Sequence, residues 1–200
     1  LGGETDQYHP DLVHDNHQVE PPRTPEQGYH FSEDMIDHSI SFLKDLRATY
    51  ERKPFLLYVA PGACHAPHQA PASFIEPYRG RFDAGWDRWR EQVFARQIAS
   101  GLLPKGTELS ERPSWVPSWE SLSSDERRLF ARMMEVYAGF MTHTDAQIGR
   151  LVDFIEKLGE LDDTLLILMS DNGASAEGGL KGSFNEAFFF NMVPESLEEN

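Results

Sequence analysis

Asp171, Asn172 and Gly173 follow, with no spacer, on the apolar run Thr164-Leu165-Leu166-Ile167-Leu168-Met169-Ser170. A carboxylate beside an amide offers one ionised and one neutral oxygen, the hard donors that Ca2+ or Mg2+ takes, and the glycine permits a sharp exit. The same tripeptide is also a turn signal, because Asx side chains hydrogen-bond their own backbone. A second constellation, His65-Ala66-Pro67-His68, comes after the run Phe55-Leu56-Leu57-Tyr58-Val59-Ala60 and the linker Pro61-Gly62-Ala63-Cys64. An imidazole titrating near neutrality suits the holding of an anionic substrate beside a cation. His65 is the candidate for that task, with His68 as its local competitor. Cys64 invites comparison with a nucleophile, but neighbouring residues on a proline-stiffened loop do not converge, and no activating base stands near it in the sequence.

Both constellations stand at the ends of short continuous apolar runs, the pattern of strands covered on both faces in a parallel sheet. Ligands of open α/β sheets bind outside the carboxyl ends of such strands. Between the runs, Ser123-Ser124-Asp125-Glu126 matches a capping box. Behind it Leu129, Met133, Val136, Tyr137, Phe140, Ile148, Leu151, Val152, Ile155 and Leu158 keep helical spacing up to Gly159. Strand 55–60, helix 124–158 and strand 164–170 therefore read as an enlarged right-handed βαβ crossover, which places His65 and Asp171 at one sheet edge. Ser32, Glu33 and Asp34 open an earlier helix with Ile36, Ile40, Leu43 and Arg47 on one face, running to about residue 52.

Residues 1–31, rich in His, Asp, Pro and Gly, read as an irregular segment. His9, His14 and His17 with Asp6, Asp11 and Asp15 read as solvated polar residues, since neither a helical His pair nor a paired Cys motif is present. Residues 72–122 mix short helical pieces with proline-rich turns, an excursion over the sheet edge. The stripe Met133, Met134, Tyr137, Phe140 and Met141 reads as core. Asp145 is either a supporting group or an ordinary exposed carboxylate.

The net charge of −15, from 18 basic and 33 acidic residues, argues against a nucleic-acid or anionic-membrane partner and is compatible with a cation site. One cysteine excludes an internal disulfide and a Cys-based zinc cluster. No apolar run is long enough to span a bilayer as a helix.

Several segments in order resemble a known family: residues 55–60, His65-Ala66-Pro67-His68-Gln69-Ala70-Pro71, Tyr78-Arg79-Gly80-Arg81-Phe82-Asp83, residues 134–138 and 145–149, and finally residues 159–164 with Ser170-Asp171-Asn172-Gly173. Across about residues 29–179 they look like the type I sulfatases, and more narrowly the bacterial-type arylsulfatases of the alkaline-phosphatase-like superfamily. The opening residues 1–8 are similar to the family segment that follows the catalytic half.

The resemblance implies an α/β fold with a mostly parallel sheet flanked by helices. It also implies that Asp171 and Asn172 are the second pair of ligands to a divalent cation, Ca2+ before Mg2+, and that His65 contacts a small-molecule sulfate ester. Members of the family attack sulfur with a formylglycine made from Cys or Ser in a C/S-x-P-S/A-R motif. Cys64 lacks that context, no other position supplies it, and the upstream aspartate pair and Lys/His pair are absent. The reading is therefore the central part of a single sulfatase catalytic domain, with its nucleophile outside the chain: 1–31 irregular, 32–179 an α/β core with an excursion at 72–122, and 180–200 a truncated end. The alternatives are a phosphoesterase of the same superfamily and a non-catalytic cation-binding or interaction domain on this fold.

Overall fold

A computed structural model describes residues 5–170, 179, 182, 188, 190–193, 195 and 196. The expected metal pair, Asp171 and Asn172, lies outside the described residues. So do most of the residues from 173 to 200.

One long helix packs against the first two helices of the chain and against the 72–122 excursion. Ser123 caps it by accepting the Glu126 backbone N–H, and Glu126 reaches back to the Ser123 N–H, closing the expected box. The helix runs Ser124–Lys157 (designated α4 from its place in the chain). It stops where Gly159 takes φ +71°. There the Gly159 and Glu160 N–H groups donate back to the carbonyls of Glu156 and Ile155, a Schellman closure.

Three apolar clusters lie along this helix. At its C-terminal end Leu151 and Ile155 meet Ile36 and Leu43 of α1, Phe31–Thr49. In its middle Phe140, fully buried, meets Ala70 of the preceding loop and Ile75 of α2, Ala72–Ile75. Near its start Phe130 and Ala131 meet Phe82 and Trp119, which flank α3, Gly85–Ala99. Burial of each large side chain contributes about 2 kcal/mol. The excursion at 72–122 is thus bound to the helix by aromatics. It is also bound by buried Glu135, which accepts the Gly80 N–H at 2.7 Å and pairs with Arg132.

Helix α1 begins two residues earlier than its sequence suggests, and its cap is His30 rather than Ser32. The His30 imidazole accepts the Ser32 N–H at 3.2 Å, a task usually left to a hydroxyl or carboxylate. Residues 1–31 are not wholly irregular either. Leu12–His14 (β1) pairs antiparallel with His17–Val19 (β2). Asp15 and Asn16, both at positive φ, form the two-residue turn that the pair's tolerance of left-handed backbone allows.

The mostly parallel sheet is the main departure. Among the described residues the only ladder is β1 with β2, and neither 55–60 nor 164–170 pairs with a neighbour. Residues 55–60 nevertheless alternate as a strand would: Phe55, Leu57 and Val59 pack on the α1–α4 cluster, while Leu56 (97% exposed) and Tyr58 (87%) face away. Leu165, Ile167, Leu168 and Met169 are exposed as well. Covering on both faces, expected from the continuous apolar runs, is absent because no strand lies beside them among the described residues.

Candidate active-site loop

Residues 61–71 leave the Phe55 run and return to α2 over the middle of α4. Ala63 and Ala70 rest on the Phe140 cluster. Within the loop the His65 N–H donates to the Gly62 carbonyl at 2.8 Å. His68 closes the other side, its Nε2 donating to the Cys64 carbonyl at 3.0 Å while its ring stands edge-on to Tyr137. The two histidines thus divide the work. His68 spends its ring nitrogen on the loop's own backbone, whereas His65, half-buried, is the residue held between the two closures. Cys64 is half-buried, and the polar atom it offers to His68 is its carbonyl rather than its thiol.

A polar network that no sequence motif announces anchors this loop. Gln7, buried, accepts the Ser32 hydroxyl at 3.0 Å, and its carbonyl accepts the Phe31 N–H at 2.7 Å. Its own N–H donates to Oε1 of Gln69 at 2.6 Å, and Nε2 of Gln69 donates to Asp6 at 2.8 Å. The Gln69 carbonyl in turn faces Nε2 of His30 at 3.2 Å. Since Nδ1 of His30 accepts from Ser32, its proton sits on Nε2 and is donated to Gln69. Burial, reinforced by the His143 imidazole 4.3 Å away between ring centroids, pushes His30 down to about 4, so it works neutral.

For Asp6, burial alone raises the carboxyl. The hydrogen bonds from Gln69, His9 and Tyr8 outweigh that and leave it below its usual range. Asp6 therefore serves the loop as an ionised anchor. His9, His14 and His17 do not assemble with it into a metal cluster among the described residues. Sequence reasoning passed over Gln7, His30, Gln69 and His143. Their common signal is burial of polar side chains from separate segments, and that is invisible before folding.

Comparison with known proteins decides the family. A sulfatase family model matches residues 1–193. The chain belongs to the sulfatase family. It is 36% identical over 146 residues to an uncharacterized sulfatase of Schizosaccharomyces pombe, covering 72% of this chain and 25% of that protein. Against an arylsulfatase of Klebsiella aerogenes it is 31% identical over 150 residues, 75% of this chain and 30% of that one. The multifunctional alkaline phosphatase superfamily protein PehA of Trinickia caryophylli is 26% identical over 155 residues, 76% of this chain and 29% of that protein. The sulfatase chain described here thus spans between a quarter and a third of the length of these relatives.

Proposed function

We propose that this chain is part of an arylsulfatase that hydrolyses small-molecule sulfate esters, and that it supplies one edge of the active site. The observation carrying the reading is the sulfatase match over residues 1–193, which includes both the His65 loop and Ser170-Asp171-Asn172-Gly173. In this reading residues 55–60 and 164–170 are strands of a mostly parallel sheet, and 32–179 form the α/β core of one catalytic domain. Their alternating and exposed apolar faces are what such strands would present to neighbours.

Asp171 and Asn172 suit a divalent cation by donor chemistry, one charged and one neutral oxygen, with Ca2+ preferred and Mg2+ compatible. The cation would stabilise charge on the sulfate oxygens, and a formylglycine outside this chain would supply the attacking oxygen. His65 binds the sulfate ester from a loop whose two internal closures restrict its place. His68 and Asp6 hold the loop and do not touch substrate.

The test is mutational, in the full-length protein. His65→Ala should lower kcat/KM for an aryl sulfate at least about tenfold, equivalent to about 1.4 kcal/mol of transition-state binding, and His68→Ala should cost less. The reverse ranking would show that His68 is the substrate contact. A phosphoesterase is the second reading, favoured by the similarity to the alkaline phosphatase superfamily protein. Preferential turnover of a phosphate monoester over the matching sulfate would establish it.

A further inference from the structure

The loop that carries His65 is closed at its neck by residues distant in the chain. Gln7 sits at both ends of it. A β-carbon built on Gly62 would lie 3.3 Å from Nε2 of Gln7, and at the other end the Gln7 N–H meets Oε1 of Gln69. The Gln69 side chain crosses to that segment, Oε1 to Gln7 and Nε2 to Asp6, and its carbonyl meets His30.

Every one of these partners is itself restrained. Asp6 also accepts the Tyr8 and His9 N–H groups, both at 2.8 Å. Gln7 is held by Ser32 and Phe31. His30 is locked in one tautomer by the N–H of Ser32. The amide of Gln69 therefore matches a fixed acceptor and a fixed donor at once, which a carboxylate or a shorter amide cannot do.

We infer that Gln69 is a positioning residue for sulfate-ester hydrolysis, fixing His65 against substrate by pinning the neck of its loop to Asp6 and Gln7. The inference rests on the reading of His65 as the ester contact. Because Gln69 acts through His65, its loss should matter only while His65 is present. Losing contacts of this kind misplaces a site by a fraction of an ångström and should lower kcat more than it raises KM.

A double-mutant cycle with para-nitrophenyl sulfate in the full-length protein tests it. Gln69→Ala should lower kcat at least about fivefold with His65 intact, yet less than about twofold in a His65→Ala background. Thermal melting of each variant separates general destabilisation from displacement of the loop. If Gln69→Ala does not fold, the same cycle is run with Gln69→Glu, which keeps the acceptor for Gln7 and sets a like charge against Asp6. Equal, additive losses in the two backgrounds, with either variant, would overturn the positioning role and leave His65 as the ester contact. A His65→Ala enzyme with undiminished turnover would overturn that reading and the inference with it.

Discussion

At the scale of single residues, Asp171 and Asn172 can be told from a turn by what their loss does to the cation. As ligands, Asp171→Ala in the full-length protein should sharply reduce cation affinity and turnover, and Asn172→Ala should do so less, because it removes a neutral oxygen rather than a charge. Calorimetric titration with Ca2+ decides the matter: unchanged affinity in Asp171→Ala would reduce the pair to an Asx turn. His30 carries a second expectation, about pH. Its folded form titrates at about 4 against 6.5 for the free side chain. Between these values the unfolded chain takes up a proton that the folded chain refuses, so stability is undiminished above about 6.5 and falls as the pH drops toward 4. The loss amounts to on the order of 3 kcal/mol when complete. His30→Gln should flatten this dependence in chemical denaturation measured across the window, while lowering stability at pH 7 through the changed cap. A slope identical to the parent's would mean that other histidines carry the effect.

At the scale of elements, α4 shows how packing overrides propensity. Gly139 lies buried in the middle of that helix, where alanine would ordinarily be favoured by about 1 kcal/mol. A β-carbon there would stand 2.8 Å from Cγ1 and 2.9 Å from Cα of Ile75, the second a backbone atom that cannot rotate away. Overpacking of this sort costs about 1 to 3 kcal/mol, so the clash should exceed the gain. Gly139→Ala should therefore lower Tm, and the loosened contact between α2 and α4 should appear as faster amide exchange in residues 72–75. A raised Tm would mean that α2 shifts at little cost. The same helix carries Tyr137 and Phe140 beneath the His65 loop, which links this packing to the site.

At the scale of the whole molecule, the described residues form a helical body that leaves apolar side chains of two runs, 55–60 and 164–170, exposed. Leu56, Tyr58, Leu165, Ile167 and Met169 are exposed, and clustered apolar side chains of this size are normally covered. The chain also lacks any C/S-x-P-S/A-R sequence. Residues 1–200 on their own should consequently show no turnover of an aryl sulfate above background, because positioning residues do not replace an attacking group. Turnover that Cys64→Ala abolishes would overturn this and make Cys64 the nucleophile.

Much of this was readable before folding because its causes are local. The capping box at Ser123 and the helical spacing up to Gly159 each depend on residues a few positions apart. The sulfatase resemblance came from several such segments in order. Where sequence reasoning strayed, the deciding contact was either unusual or distant. Ser32 looked like the cap, but an imidazole took the place. Asp15 and Asn16 made a hairpin inside a stretch read as irregular. The apolar runs at 55–60 and 164–170 suggested two covered faces, yet a run of side chains cannot say which strand lies beside it. The amino-acid sequence by itself determined which residues bear polar chemistry and which helices support them, through periodicity and capping. Tertiary structure alone decided that Asp6, Gln7, His30 and Gln69, dispersed over more than sixty positions, close on one loop. Their hydrogen bonds exist only after α1, α4 and the first segment have excluded water from the space between them.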